Sequence, residues 1–279
     1  MPRIAAMKSS LTGAERKVAD YVLAHPREVV GCSITELAER CEVGDTSVFR
    51  FCKSLQFTGF TEFKLAVALC LSDDEVSGLV LDSEITLEDD LTGIASKLLT
   101  SHTQALYNTR ALLREDQLDR AVKALLEAKR IVAVGAGASL VLAMNAYTRF
   151  VRITPDMRCA PDSHSQAIEA AHCGPNSVLL AFSHSGLTLD IVRCAQLARQ
   201  NGATVIAVTG QLRTPLTDSA DIVLLCGSVH SDLQYASAIA SVTSNYILEI
   251  LYTEYFRRAY RDSLDTLDRT TASVTDKLL

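Results

Sequence analysis

Hydrophobic and polar positions change rhythm along this chain. Through about residue 70 the apolar residues recur every three or four positions, and the runs open on helix-start signals. Thr12-Gly-Ala-Glu15 is a capping-box pattern, followed by apolar Val18, Tyr21, Val22 and Leu23 until Pro26 ends the run. A second box, Ser33-Ile-Thr-Glu36, opens a short helix through Ile34, Leu37, Ala38 and Cys41. Val43-Gly44 then predicts a tight turn, Asp45 a cap, and Thr46 to Leu55 a third helix. Phe57, Phe60 and Phe63 flank the entry to a fourth helix reaching about Leu71. Residues 73–90 are acidic and carry little periodicity, so they read as a linker between domains at 1–72 and 91–279.

Beyond the linker the rhythm alternates. Two helical stretches, Leu91–Asn108 and Gln117–Ala128, precede short apolar runs of strand length at Ile131–Val134, Ser177–Phe182, Thr204–Thr209 and Asp221–Leu225, with a weaker one at Met157–Ala160. Helix-length segments such as Leu187–Gln200 separate most of them, and Leu233–Arg258 is a long closing helix. Alternation of this kind predicts a three-layer α/β domain, a parallel sheet with helices on both faces. The 18 uncharged residues Ile131–Thr148 fit a buried strand and helix start, because two glycines, Ser139 and Asn145 divide them.

Composition sharpens this picture at a few points. The 279 residues suffice for two domains, and 48% hydrophobic with 22% charged residues is the balance of a soluble globular protein. Eight cysteines are scattered without a C-x-x-C or a Cys/His quartet, which predicts reduced, mostly buried thiols in the cytoplasm and no metal. Met1–Lys8 lacks the apolar core and cleavage site of a signal peptide. Net charge is −6, against a generally basic nucleic-acid binder. Residues 1–72, however, hold nine Lys/Arg against eight Asp/Glu, so the acidity belongs to the C-terminal part.

A near-neutral helical domain can still present a local basic face. A short helix, a glycine-containing turn and a second short helix make a helix-turn-helix, whose second helix can enter the major groove of duplex DNA. Val48, Phe51, Cys52 and Leu55 have helical spacing and face the core, which leaves Thr46, Ser47, Arg50 and Lys53 on the outer face. Arg50 suits a guanine edge or a phosphate, and Thr46 and Ser47 suit contacts at a helix start. The same spacing also fits a plain helical domain with a polar surface.

Two uncharged turns carry the chemistry of the C-terminal domain. Gly135-Ala-Gly-Ala-Ser139 and Ser183-His-Ser-Gly-Leu-Thr188 each follow an apolar run, where a strand passes into a helix. Unpaired backbone N–H groups and the positive end of the helix dipole favour an anion there. Gly135 and Gly137 allow close approach, Ser139 can donate, and Ser183, Ser185 and Thr188 cluster around Gly186 with His184 between them. Leu140 occupies the third glycine position of a dinucleotide fingerprint, which argues against NAD, and no nucleophile elbow is present. His164, His230, Ser163 and Ser165 fall in loop-like regions near strand ends.

Taken together these motifs are recognisable. Ser33-Ile-Thr-Glu-Leu-Ala-Glu-Arg40 to Arg50-Phe-Cys-Lys-Ser-Leu-Gln-Phe-Thr-Gly-Phe60 resembles the helix-turn-helix of the RpiR family of bacterial transcriptional regulators. Gly135–Ser139, Ser183–Thr188 and Gly202-Ala-Thr-Val-Ile-Ala-Val-Thr209 resemble a sugar isomerase (SIS) domain. The resemblance implies a five-stranded parallel sheet, a phosphosugar or sugar-acid phosphate effector, a double-stranded DNA operator, a homodimer or homotetramer, and no cofactor. It assigns Ser139, Ser183, Ser185 and Thr188 to the phosphosugar. Leu187 stands where many SIS domains carry a polar residue, and Thr154 where a glycine is frequent. A rival reading is a phosphosugar isomerase or lyase with an appended helical domain, for which Glu169, His184 and His230 are the candidate acid–base groups.

Overall fold

The computed structural model describes residues 2–8, 11–64, 66–67, 85–86, 88–227 and 236–275. It divides into two compact units, Met1–Ser101 and His102–Leu279. The division falls inside a helix, Leu91–Leu112, and so lies later than the start expected for the second domain at residue 91. Most of the expected linker, residues 73–84 and 87, is outside the described residues.

The first unit is helical: α1 (Pro2–Met7), α2 (Gly13–Ala24), α3 (Pro26–Gly31), α4 (Ile34–Arg40) and α5 (Asp45–Ser54), with residues 60–64 also helical. Both capping boxes form, at Thr12/Glu15 and Ser33/Glu36. Glu15 is buried and also accepts from the Ser54 hydroxyl at 2.9 Å, so one carboxylate caps α2 and ties it to the end of α5. Pro26 ends α2 as expected and then serves as the first residue of α3, a position where its missing N–H costs nothing. Val18, Val22, Leu37, Val48, Phe51, Leu55 and Phe63 form the core, with Phe63 edge-on to Phe51 and Phe57.

The turn between α4 and α5 is built differently from its expected form. Glu42, not Gly44, takes the left-handed conformation (φ 51°), and the Val43 N–H donates back to the Ala38 carbonyl at 3.0 Å. Gly44 is the N-cap of α5 and Asp45 its first residue; the Asp45 carboxylate accepts from the Thr35 hydroxyl at 2.9 Å and does not cap.

After α6 (Leu91–Leu112) and α7 (Glu115–Glu127), the second unit runs β1 (Arg130–Gly135), α8 (Ala138–Phe150), β2 (Met157–Cys159), α9 (Ser163–Ala171), β3 (Ser177–Phe182), α10 (Leu189–Gln200), β4 (Thr204–Thr209), α11 (Pro215–Asp218), β5 (Ile222–Leu225), α12 (Ala236–Arg258) and α13 (Tyr260–Ala272). The five strands are all parallel in the order β2-β1-β3-β4-β5. Alternate strand residues feed two cores. Ile131, Ala133, Leu180, Phe182, Ile206 and Leu224 pack against α7, α8 and α12. Val132, Val134, Leu179, Ala181, Val205 and Ala207 pack against α9, α10 and α11. Central β3 is buried at every position and edge strand β5 at alternate ones, as a doubly covered sheet requires. The chain reverses direction across the sheet between β1 and β3, and ligands of such sheets bind at that switch, outside the carboxyl ends of the strands.

Candidate functional site

Both glycine/hydroxyl turns lie at this switch, one after β1 and the other after β3. Gly135 ends β1 directly under the first turn of α8, where an added Cβ would run into the Ser139 carbonyl and lie 2.9 Å from the Leu140 nitrogen. Gly137 is left-handed (φ 57°) and is the N-cap of α8, with no side chain capping the helix. Ser139 is half-buried in the first turn.

The second turn is held from several directions. Ser183 is buried, and its hydroxyl donates to that of Thr188 at 3.3 Å. Gly186 is left-handed (φ 67°) and lies against Thr214, the N-cap of α11. Its N–H donates to the Ser183 carbonyl at 3.1 Å, while its own carbonyl accepts from the Leu216 N–H at 3.2 Å. Exposed Ser185 accepts from the Leu187 N–H at 3.2 Å. The His184 carbonyl accepts from the Gly210 N–H at 2.9 Å and the Thr209 hydroxyl at 3.2 Å. Its imidazole occupies the space a Cβ on Gly210 would need, and its Nδ1 is buried without a hydrogen-bond partner. Burial holds this imidazole below its ordinary pKa, so it is neutral at pH 7. The side chain of His184 thus seats the turn on the end of β4.

Capping separates the four helices that follow β1, β2, β3 and β4. Asp162 caps α9 and Thr214 caps α11, whereas α8 and α10 have no side-chain cap. Thr188, the N-cap residue of α10, has its hydroxyl engaged with Ser183 instead. The two uncapped helices are the two beside the switch, and their first-turn N–H groups suit an anion.

On α5, the structure places Thr46, Arg50 and Lys53 on the exposed face as expected. Ser47 departs from the expectation: it is 8% exposed, because one residue advances a helix by about 100° and sets Ser47 beside Val48 and Phe51 on the buried arc. Phe49, absent from the expected core set and from the expected outer face, is exposed beside the cations.

Comparison with known proteins agrees with this arrangement. The helix-turn-helix domain of the rpiR family matches residues 1–74, and the SIS domain matches residues 124–253. An uncharacterized HTH-type transcriptional regulator of Haemophilus influenzae is 35% identical over 251 residues, covering 90% of this chain and 87% of the relative. Another, from Caldanaerobacter subterraneus, is 32% identical over 264 residues, covering 95% and 93%. This chain belongs to the RpiR family of helix-turn-helix transcriptional regulators. Its fold is shared with Vibrio vulnificus NanR, solved in complex with ManNAc-6P, at a TM-score of 0.63 and 23% identity over 99% of this chain and 98% of that one.

The remaining candidates of this RpiR-family regulator are distributed unevenly. Ser163 and His164 are exposed in the first turn of α9 rather than in a loop, beside Ser165, whose N–H binds the capping Asp162 carboxylate. Glu169 is paired with Arg130, the first residue of β1. That end of the strand is about 16 Å from Gly135, at some 3.3 Å per residue, so Glu169 is not at the switch. His230 lies outside the described residues. A residue passed over in the sequence, Gln166, is 1% exposed and bonds both the N–H and the carbonyl of Gly135, at 3.2 and 3.0 Å, and the Ala160 carbonyl at 3.1 Å. It fixes the first turn from α9, and a lone glutamine in a helical stretch gives no sign of it. Among the described residues, no cluster of His, Cys, Asp or Glu is placed to hold a metal, the seven cysteines are free, and no helix is long and apolar enough to cross a membrane.

Proposed function

We propose that a phosphosugar or sugar-acid phosphate binds at the β1/β3 switch of this transcriptional regulator and changes its affinity for a double-stranded DNA operator. The observation that carries this reading is the pair of uncapped helices, α8 and α10, whose starts flank the switch beside Ser139, Ser183, Ser185 and Thr188. Space is open where a Cβ on Gly137 would stand, so its backbone is within reach of a phosphate, and charge-assisted hydrogen bonds to it contribute about 1.5–3 kcal/mol each. The ligand of NanR, ManNAc-6P, belongs to the same chemical class. In this reading the site binds without turnover: Glu169 is committed to Arg130 and the His184 imidazole packs against Gly210, while the third acid–base candidate, His230, lies outside the described residues. In this reading the regulator acts in the cytoplasm as a homodimer or homotetramer on paired half-sites. Exposed Val141, Met144 and Tyr147 on one side of α8 offer apolar surface for such a contact.

Fluorescence anisotropy with DNA from upstream of the gene, with and without a panel of sugar phosphates, tests this. One sugar phosphate should shift operator affinity by about 5–150-fold, the usual range of such coupling. Ser183→Ala should remove that shift and leave DNA binding in place. Arg50→Ala should weaken operator binding by about 1–3 kcal/mol while sugar-phosphate binding persists. Operator binding indifferent to every sugar phosphate would sink the effector reading.

A further inference from the structure

Phe49 is the side chain of α5 that packing does not account for. A phenylalanine in a small helical unit belongs in the core, where Phe51 and Phe63 are, yet Phe49 is 44% exposed. Thr46, Phe49, Arg50 and Lys53 stand at i, i+3, i+4 and i+7, so they form one stripe along the helix, and all four are exposed. The Lys53 ammonium lies 5.4 Å from the centre of the Phe49 ring. Beside the ring is an open concavity of about 520 Å³ lined by Ile34, Asp45, Thr46, Phe49 and Arg50.

We propose that Phe49 reads sequence by packing its ring against the C5 methyl of a thymine in the major groove, so that each half-site carries a thymine next to the base or phosphate held by Arg50. The inference rests on α5 being the DNA-contacting helix. Of the four bases only thymine presents a methyl group in the major groove, and an aromatic or aliphatic side chain is its complement. Arg50 and Lys53 follow Phe49 on the helix and supply positive charge beside the ring, as contact with a phosphate backbone requires. An apolar protein partner would instead have to bury both cations at a cost. Asp45 lies in the concavity, where its carboxylate repels phosphate and leaves the space to a base edge.

The test is selection of binding sites from a random-sequence duplex library by the full-length protein and by Phe49→Ala. Affinities are then measured for the selected duplex with single thymines replaced by deoxyuridine, which removes only the methyl. The wild type should enrich a thymine in each half-site, and its replacement should weaken binding about fourfold, the transfer value of one buried methyl. Phe49→Ala should accept all four bases at that position and bind the thymine and deoxyuridine duplexes equally. Phe49→Leu, still apolar, should retain a reduced thymine preference and serves if the alanine variant unfolds. An unchanged consensus and an unchanged deoxyuridine penalty in both variants would overturn the role of Phe49 and leave α5 as the DNA-contacting helix. Failure of the wild type to enrich any sequence would overturn both.

Discussion

The turns after β1 and β3 make the same passage from strand to helix and are stabilised in opposite ways. At the first, the constraint on Gly135 is its own helix: the backbone of Ser139 and Leu140 occupies the space a side chain would need. Gly137, two residues on, meets nothing within 4 Å. At the second, the constraint comes from distant segments, with Thr214 against Gly186 and Gly210 against His184. One turn is shaped by local backbone and reinforced by Gln166; the other is fastened to the loop after β4.

Substitutions separate the two modes. Gly135→Ala should have the largest effect, about 3 kcal/mol or more in chemical denaturation, because backbone on the far side cannot give way. Gly186→Ala should cost about 2 kcal/mol, from a left-handed alanine and the collision with Thr214, and adding Thr214→Ala should recover part of it. No second substitution should rescue Gly135→Ala in this way, and equal rescue of both would erase the distinction. Gly137→Ala should cost about 1–3 kcal/mol from backbone strain alone, at φ 57° and ψ −127°, since the space around it is free. The smallest effect is one of pH. Burial lowers the His184 pKa in the folded state, so the unfolded chain takes up its proton first as pH falls. Stability contributed here is complete above the ordinary value of about 6.5 and declines as pH drops from there through the folded pKa. His184→Gln should flatten that part of a pH–stability curve, measured by thermal unfolding.

Much of this was legible because periodicity and turn chemistry are local. The two capping boxes, the strands and the parallel character of the sheet follow from residues close in sequence, and so do the two glycine/hydroxyl turns. What escaped depends on partners far along the chain or on a single step of helical phase. Ser47 fell on the buried arc because its neighbours Val48 and Phe51 define the core side. The left-handed residue in the α4–α5 turn is Glu42, although glycine is the usual occupant, since the Val43–Ala38 bond and packing decide it. Gln166, Thr209, Gly210 and Thr214 build the site from α9 and from the loop after β4, and none carries a local signature. Glu169 looked available for catalysis until its pairing with Arg130 placed it at the opposite end of β1.

The strand order also bears on how the protein is made. Arg130 of β1 pairs with Ser177 of β3, 47 positions later. At a synthesis rate of roughly 5–20 residues per second, β1 therefore waits about 2–10 s for its central neighbour. The helical unit, whose contacts are closer in sequence, emerges first and is free to form early. Until β2 emerges as the other neighbour of β1, the uncharged residues 131–148 lie unpaired, and this is the period in which nascent chains most need shelter from one another.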